Sequence, residues 1–454
     1  MKAHLVTLGC PKNLVDSEAT VTLLRRAGVT VTDDPAAADV LMVSACSFLD
    51  ASWRETLEEV ERLAGYKNGS RRKKLVLMGC LPRHRGEDLE RSLPWVDHFL
   101  PTGAHEKLPA LIDSWRAGSA SERVVEGDGT DRFAGFERRD LLTAPHTAYV
   151  KVAEGCNRKC TFCAIPLIRG RQATRAIDSI VREVDDLVSR GVREVSLLAQ
   201  DIVAYSDGGR KFPDLVAAVA ATGVEWIRIY YFHPAGIDLD YLSRVFEHRS
   251  VVRYLEMPVQ HASTAVLERM RRAHDRSHLE RLLRGIRSRM PDLVIRSEVI
   301  VGFPGEGEEE FAELKEFIEE FEFDSLGIFP YSREPGTRAA TLGGFVDNAV
   351  IRARVEELSG LQESVSFGAR SRFLGTTQRV LVDRAVDEDD GVFDGCSYAG
   401  RFYGQALEVD GEVFVEADRL GVGEFVDVDI VDAGVFDLMG RPARPTGTAP
   451  VLEE

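Results

Sequence analysis

Cys156-Asn157-Arg158-Lys159-Cys160-Thr161-Phe162-Cys163 places three thiols in one tight loop with the spacing C-x3-C-x2-C. Structural zinc sites usually draw four ligands from C-x2-C pairs, and no fourth Cys or His stands near this loop. Three thiolates on an iron-sulfur cube leave one iron without a protein ligand. On a reduced 4Fe-4S cluster such an open iron is what S-adenosylmethionine requires: its amino and carboxylate groups chelate the iron, and one electron cleaves the sulfonium bond to a carbon radical. A zinc site or inert thiols are the competing readings.

Three further cysteines, Cys10, Cys46 and Cys80, are dispersed over the first eighty or so residues, each at the end of a strand-like run: Gly9-Cys10, Ala45-Cys46 and Gly79-Cys80. The runs Ala3–Leu8, Val40–Val43 and Leu75–Met78 alternate with helical patterns over about 16–27 and 52–65, which reads as an open parallel α/β sheet. Ligands of such sheets bind beyond the carboxyl ends of the strands, so three cysteines distant in sequence can meet at one site. Plain core burial is the bland reading, since free cysteine packs as a small apolar residue. Cys396 stands alone.

A polar, glycine-bearing stretch from Gly127 to Arg139 reads as a linker. Beyond it, strands are expected near 147–152, 194–199, 226–231, 253–258, 295–301 and 325–331, with amphipathic helices between them. Six β/α units in so short a span predict a partial parallel barrel of the TIM type. After about residue 366 the texture changes to short strand-like runs, Arg379–Val382, Val413–Val415 and Phe425–Ile430, punctuated by Gly and Asp, which predicts a small antiparallel β-barrel. The expected organisation is therefore α/β multidomain: 1–139, 140–366, 367–441 and a disordered tail 442–454.

Composition is that of a globular protein, with 454 residues, 44% hydrophobic and 29% charged. Fibrous and fully disordered readings fall away. No window approaches a membrane span, and the opening Met1-Lys2-Ala3-His4-Leu5-Val6 has no apolar leader, so the expectation is a cytoplasmic protein in which thiols stay reduced. The net charge of -17 disfavours phosphate backbones as partners. Residues 370–441 hold 16 acidic and 7 basic side chains, including the run Asp387-Glu388-Asp389-Asp390. A solvated face is the bland reading; a surface that steers a basic protein is the sharper one.

The cysteine loop resembles that of the radical S-adenosylmethionine superfamily, and the three-part order is similar to the methylthiotransferases within it. That resemblance implies an N-terminal domain holding an auxiliary 4Fe-4S cluster on Cys10, Cys46 and Cys80, a partial (β/α)6 barrel holding the radical cluster on Cys156, Cys160 and Cys163, and a C-terminal TRAM barrel that binds the substrate. It further implies cofactor contacts from Phe162, from Ala199 and Gln200 in Leu197–Asp201, and from Ile300 and Gly302 in Ile300-Val301-Gly302-Phe303-Pro304-Gly305-Glu306. S-adenosylmethionine is then both radical source and methyl donor, with a flavodoxin or ferredoxin as electron donor. No side-chain acid or base is assigned as catalytic.

Within the family, Gly9–Glu18, Gln200-Asp201 with Ala204-Tyr205, and Pro258-Val259-Gln260-His261-Ala262-Ser263 look like the RimO branch, which modifies an aspartate β-carbon of small-subunit ribosomal protein twelve. The tRNA-adenosine branch (MiaB-like) typically has Gln-Ser-Gly-Ser where this chain has Gln260–Ser263. Departures from the pattern are Ser44-Ala45, Ala176 and the segment Gly404–Gly411. The alternatives are a tRNA methylthiotransferase and a non-catalytic iron-sulfur sensor that binds nucleic acid; tRNA is the less expected partner on charge.

Overall fold

The computed structural model describes residues 1–47, 50–67, 72–119, 121–127, 132–386 and 393–443. The acidic run Asp387–Asp390, residues 128–131 of the connecting stretch and residues 444–454 of the tail lie outside the described residues. The chain forms two compact units. The first comprises Met1–Ser250, Leu267–Ala273 and Tyr331–Phe345, and the second Val251–Val266, His274–Pro330 and Val346–Glu454.

The N-terminal part of the first unit is a five-stranded parallel sheet. Its strands are β1 (Lys2–Thr7), β2 (Thr30–Val31), β3 (Val40–Ala45), β4 (Lys74–Gly79) and β5 (His98–Pro101), in the order β2-β1-β3-β4-β5. Every residue of β3 is buried, as expected of a central strand covered on both faces. Helices α1 (Pro11–Arg26), α2 (Asp50–Gly65) and α3 (Cys80–Ser92) connect them. Helix α1 starts several residues before the apolar periodicity suggests. Pro11 occupies its first turn, where a missing N–H costs nothing, and Cys10 is the extended N-cap.

The rest of the first unit carries three parallel strands, ordered Trp226–Ile229, Glu194–Leu198, Thr147–Lys151. The second unit carries three more, Tyr254–Glu256, Val294–Val301 and Ser325–Pro330. The six strands of the expected partial barrel are thus present and parallel within each set. The described part of the polar connector is packed rather than solvated: Phe136 and Arg139 are each 1% exposed. Its glycines and charges masked one aromatic anchor and one buried cation.

In the second unit a closed barrel follows, ordered Thr377–Ala385, Tyr398–Phe402, Val413–Val415, Leu438–Pro442, Phe425–Ala433. All its pairings are antiparallel except that of Val413–Val415 with Leu438–Pro442. The segment Gly404–Gly411 fastens the barrel to the β/α strands. Asp410 accepts from Arg296 Nη1 at 2.9 Å, Ser325 Oγ at 2.6 Å, Tyr254 Oη at 2.8 Å and the Ala406 N–H at 3.0 Å. Burial pushes the Asp410 carboxyl up, but the Arg296 charge and the hydrogen bonds from Ser325 and Ala406 outweigh it and leave it below the usual range.

A carboxylate whose folded pKa is depressed adds stability that is complete above its unfolded value, about 3.9, and is lost as pH falls through the folded one. Replacing Asp410 by Asn should lower stability at neutral pH by about 3 kcal/mol, since Arg296 is left buried and unpaired. It should also flatten the acid limb below about pH 4. Urea unfolding across pH tests both; an unchanged acid limb would remove Asp410 from the account.

Candidate iron-sulfur and cofactor site

The three dispersed cysteines meet at the carboxyl edge of the N-terminal sheet. Cys46 follows β3 directly, Cys80 opens α3 and Cys10 caps α1. Leu8 N–H bonds Ser44 O at 2.9 Å and extends the pairing toward the cysteines. Gly9 has φ +93°, and a Cβ there would stand 2.5 Å from Cys46 Cβ and 3.1 Å from its Sγ. Only glycine lets these two strand ends close. Cys10 and Cys80 both lie at helix N-termini without side-chain caps, where free amides and the helix dipole favour negative charge.

Electrostatics distinguish the thiols. Burial alone would raise Cys10, yet the charges of Lys12 and Arg169 with backbone bonds hold it below its ordinary value. Burial pushes Cys80 up to about 12, with Arg169 opposing and the neighbouring Cys10 and Cys46 adding to the rise. The charges of Cys10 and Cys46 therefore reach Cys80.

Around them lies a lattice of buried ions that α1 shares with the segment after the connector. Asp16 pairs with Lys151 and Arg169, and both cations also pair with Glu154. The guanidinium of Arg169 donates from Nη2 to Asn13 Oδ1 at 2.7 Å and to Cys80 Sγ at 3.1 Å. Asn13 returns its Nδ2 to Leu8 O at 3.1 Å. Two residues further along α1 than Asp16, Glu18 pairs with Arg139, which bonds Glu183 at 2.8 Å; Glu183 in turn accepts from Arg175 at 2.5 Å. Lys12 Nζ sits 3.4 Å from the ring centroid of Tyr231, a residue held at φ +67° just past the strand Trp226–Ile229.

The second triad forms the loop expected of it. Cys156 N–H bonds Gly170 O at 3.1 Å and Cys163 N–H bonds Cys160 O at 3.3 Å. Thr161 is fixed at both backbone groups, its N–H to Met270 O at 3.0 Å and its carbonyl to Ala339 N–H at 2.8 Å. Arg272 Nη1 donates to Cys160 Sγ at 3.5 Å. Burial, with Cys160 and Cys156 nearby, pushes the Cys163 thiol up to about 12 despite a backbone bond from Ile165. Burial likewise raises Cys156, with Asp201 and Cys160 adding to it.

Phe162, within this loop, is half-buried. The loop is tied to the adjacent strand end by Arg158 Nε on Asp201 Oδ2 at 2.6 Å, next to Ala199, which is fully buried, and Gln200. Both polar atoms of the Gln200 amide are buried without a hydrogen-bond partner. An amide left so keeps its full hydrogen-bonding capacity for any polar group that reaches it.

In the second unit, Ile300 N–H bonds Gln260 O at 2.8 Å. Gly302 has φ +79°, and a Cβ there would lie 2.3 Å from Ile351 Cγ1 of the helix Asn348–Ser371. The glycine thus has a packing reason of its own. Glu306 braces the turn, accepting from Gly302 N–H at 2.8 Å and from Arg354 at 2.8 Å, with His261 Nε2 3.5 Å away. His261 of the branch signature is a buried brace beneath this turn.

Each triad fits an iron-sulfur cube: three thiols, buried or half-buried, mutually coupled, with cations at hand. A thiol as high as Cys80 or Cys163 ionises against a metal centre rather than on its own. Among the described residues no three His, Cys, Asp or Glu side chains are grouped to hold a single ion. Ligands of different irons in one cube stand further apart than those of one ion.

The chain matches the Radical SAM superfamily over residues 150–318, the uncharacterized protein family UPF0004 over 2–101 and the TRAM domain over 374–442. It is 38% identical to the ribosomal protein uS12 methylthiotransferase RimO of Anaeromyxobacter sp. (strain K), covering 99% of this chain and 96% of that protein. It is 39% identical to the protein of that name from Sorangium cellulosum, covering 97% and 90%. The chain belongs to the RimO family of radical SAM methylthiotransferases. As a radical SAM enzyme, this RimO-family chain uses a 4Fe-4S cluster and S-adenosylmethionine. Among solved structures, the radical methyltransferase TsrM of Kitasatospora setae aligns with TM-score 0.54 at 14% identity, over 74% of this chain and 73% of that one, a likeness of fold. No helix among the described residues is long and apolar enough to cross a membrane.

The sequence reading missed Arg169, Lys151, Glu154, Arg139 and Glu183 in the RimO-family chain. A signal existed: Asn13 follows Cys10 at helical i+3, and Asp16 follows Asn13 at the same spacing. Replacing Arg139 by Met should destabilise the first unit by about 3–5 kcal/mol, because Glu18 and Glu183 lose their shared buried cation. Urea denaturation measures it; a loss below about 1 kcal/mol, the worth of an exposed pair, would show the lattice to be solvated.

Proposed function

We propose that this chain inserts a methylthio group at the β-carbon of an aspartate in ribosomal protein uS12, using two 4Fe-4S clusters, one on Cys156, Cys160 and Cys163 and an auxiliary one on Cys10, Cys46 and Cys80. The observation that carries the reading is the pair of separate cysteine triads within one compact unit, in a chain that matches uS12 methylthiotransferases along nearly its whole length. When bound, the cluster of the second triad and S-adenosylmethionine supply the radical that an unactivated C–H bond demands.

The chain's own residues do the rest. In the first unit Phe162, Ala199 and Gln200 would contact the cofactor, Phe162 at the adenine and the Gln200 amide at polar groups; in the second unit the backbone at Ile300 and Gly302 would permit its close approach. Arg158 and Asp201 hold the cysteine loop against the strand end that bears Gln200. Lys12 against Tyr231 keeps the Cys10 segment on the end of its strand. Segments 1–139, 140–366 and 367–441 serve as auxiliary, radical and substrate-binding parts, in the cytoplasm where the ribosome is, with a flavodoxin or ferredoxin as electron donor.

Charge supports a protein substrate over tRNA. On the strand Phe425–Ala433, Val428 and Ile430 are buried while Asp427 and Asp429 are exposed, each across from an exposed arginine of a neighbouring strand, Arg379 and Arg441, so the acid excess lies in residues 370–441 as a whole rather than on this face. A tRNA-delivering barrel would present cations to phosphates. A basic ribosomal protein is steered by the opposite sign.

Anaerobic reconstitution should yield about eight irons per chain, falling to about four when Cys156, Cys160 and Cys163 are all Ala. Cys396→Ser should keep all of them. Alanine at Cys10, Cys46 and Cys80 should spare reductive cleavage of S-adenosylmethionine and abolish methylthio product. In a side-by-side assay by mass spectrometry, the mark should appear on uS12, and the association should weaken with salt. A mark on tRNA adenosine with none on uS12 would overturn the substrate.

A further inference from the structure

Arg169 lies six positions past Cys163, directly after the helical turn Ile165–Ile168, yet its guanidinium reaches a sulfur of the other triad. The same short segment makes apolar contact there, with Ala164 and Ile168 packed on Cys80. Arg169 is 4% exposed. Its two edges are divided: Nη1 serves the carboxylates Asp16 and Glu154, while Nη2 serves Asn13 Oδ1 and Cys80 Sγ. With Lys151, it balances those two carboxylates charge for charge. Pairing alone would need only a point charge. The planar fork is what lets one cation serve carboxylates and sulfur together.

We propose that Arg169 is a positioning residue for the N-terminal triad: its Nη2 edge holds Cys80 Sγ in a charge-assisted hydrogen bond and raises the reduction potential of the cluster on Cys10, Cys46 and Cys80. This rests on the two-cluster reading above. A cluster gains one negative charge on reduction, and a cationic donor on a ligating sulfur stabilises that form more than the oxidised one. The residue that does so follows the radical loop in sequence, so the polypeptide that forms one triad also sets the electron affinity of the other. Asn13 fixes the geometry, since its Oδ1 accepts from the same Nη2 at 2.7 Å.

The test uses the full-length chain with Cys156, Cys160 and Cys163 replaced by Ala, so that the N-terminal cluster alone reports. Two changes are made in that background. The paired variant Glu154→Gln with Arg169→Met removes one buried charge of each sign and keeps the lattice neutral. Arg169→Lys keeps the charge, but a single ammonium drawn to Asp16 and Glu154 leaves Cys80 without its donor. Redox titration followed by electron paramagnetic resonance should show the reduction equilibrium constant about tenfold lower in the paired variant, a midpoint about 59 mV more negative for one electron. Arg169→Lys should shift the same way by less. Loss of the irons from both variants would overturn the tuning of potential, since a purely structural role predicts it. An iron-loaded variant that titrates at the parent's midpoint overturns it. Absence of iron from the parent background itself would instead overturn the two-cluster reading.

Discussion

The arrangement of the first unit depends on one buried cation. Arg169 contacts Asp16, Glu154, Asn13 and Cys80, residues drawn from helix α1, helix α3 and the strand that leads into the radical loop. A buried guanidinium must spend its donors on acceptors or pay heavily in desolvation. Each contact therefore restricts where the others can be. Because Asp16 also pairs with Lys151 and Glu18 with Arg139, helix α1 is held along its length by polar contacts on a face that would otherwise face water.

Such a lattice is a poor way to gain stability. Well-packed apolar side chains of the same volume would do as well or better, while loss of one partner strands a charge. Its use lies in placement: ions fix direction and register, where an apolar face tolerates sliding. The strand ends apply the same logic. Gly9 brings Cys10 and Cys46 together by having no Cβ, and two uncapped helix starts aim amides at the space the sulfurs share.

Much of this was legible in the sequence because the signals are local or periodic. The six β/α strands and the N-terminal strands β1, β3 and β4 lie where apolar runs place them, and the spacing of Cys156, Cys160 and Cys163 states its chemistry directly. The barrel strands Tyr398–Phe402 and Leu438–Pro442 were not legible: each is short, carries Gly and Arg, and pairs with partners distant in sequence. The long helix Asn348–Ser371 escaped because Arg354, Gln362, Ser366 and Arg370 are buried in it as hydrogen-bonding groups and break its apolar stripe. The same effect hid the lattice. Asn13, Asp16, Ser17, Glu18 and Thr20 are polar, and all are buried. Pattern reading equates polarity with water, and a polar interface between two segments of one chain defeats it.

That error has a direction. Residues that look like motif letters can be bracing, as His261 is against Glu306 and as Asp410 is between the barrel and three strands. Residues that look like bracing can also reach a cysteine sulfur, as Arg169 does. What tells them apart is where the side chain's contacts lie, not its letter in a motif. Asp410 finds all its donors within the fold. His261 takes the Ser263 N–H at 3.0 Å on Nδ1, and its Nε2, 3.5 Å from Glu306, makes no hydrogen bond. The second edge of Arg169 closes on a thiol as well as on an amide oxygen, while the Gln200 amide is buried with no partner. Both of these lie beside a cysteine triad, and that placement, more than an open hydrogen bond, distinguishes them from the braces.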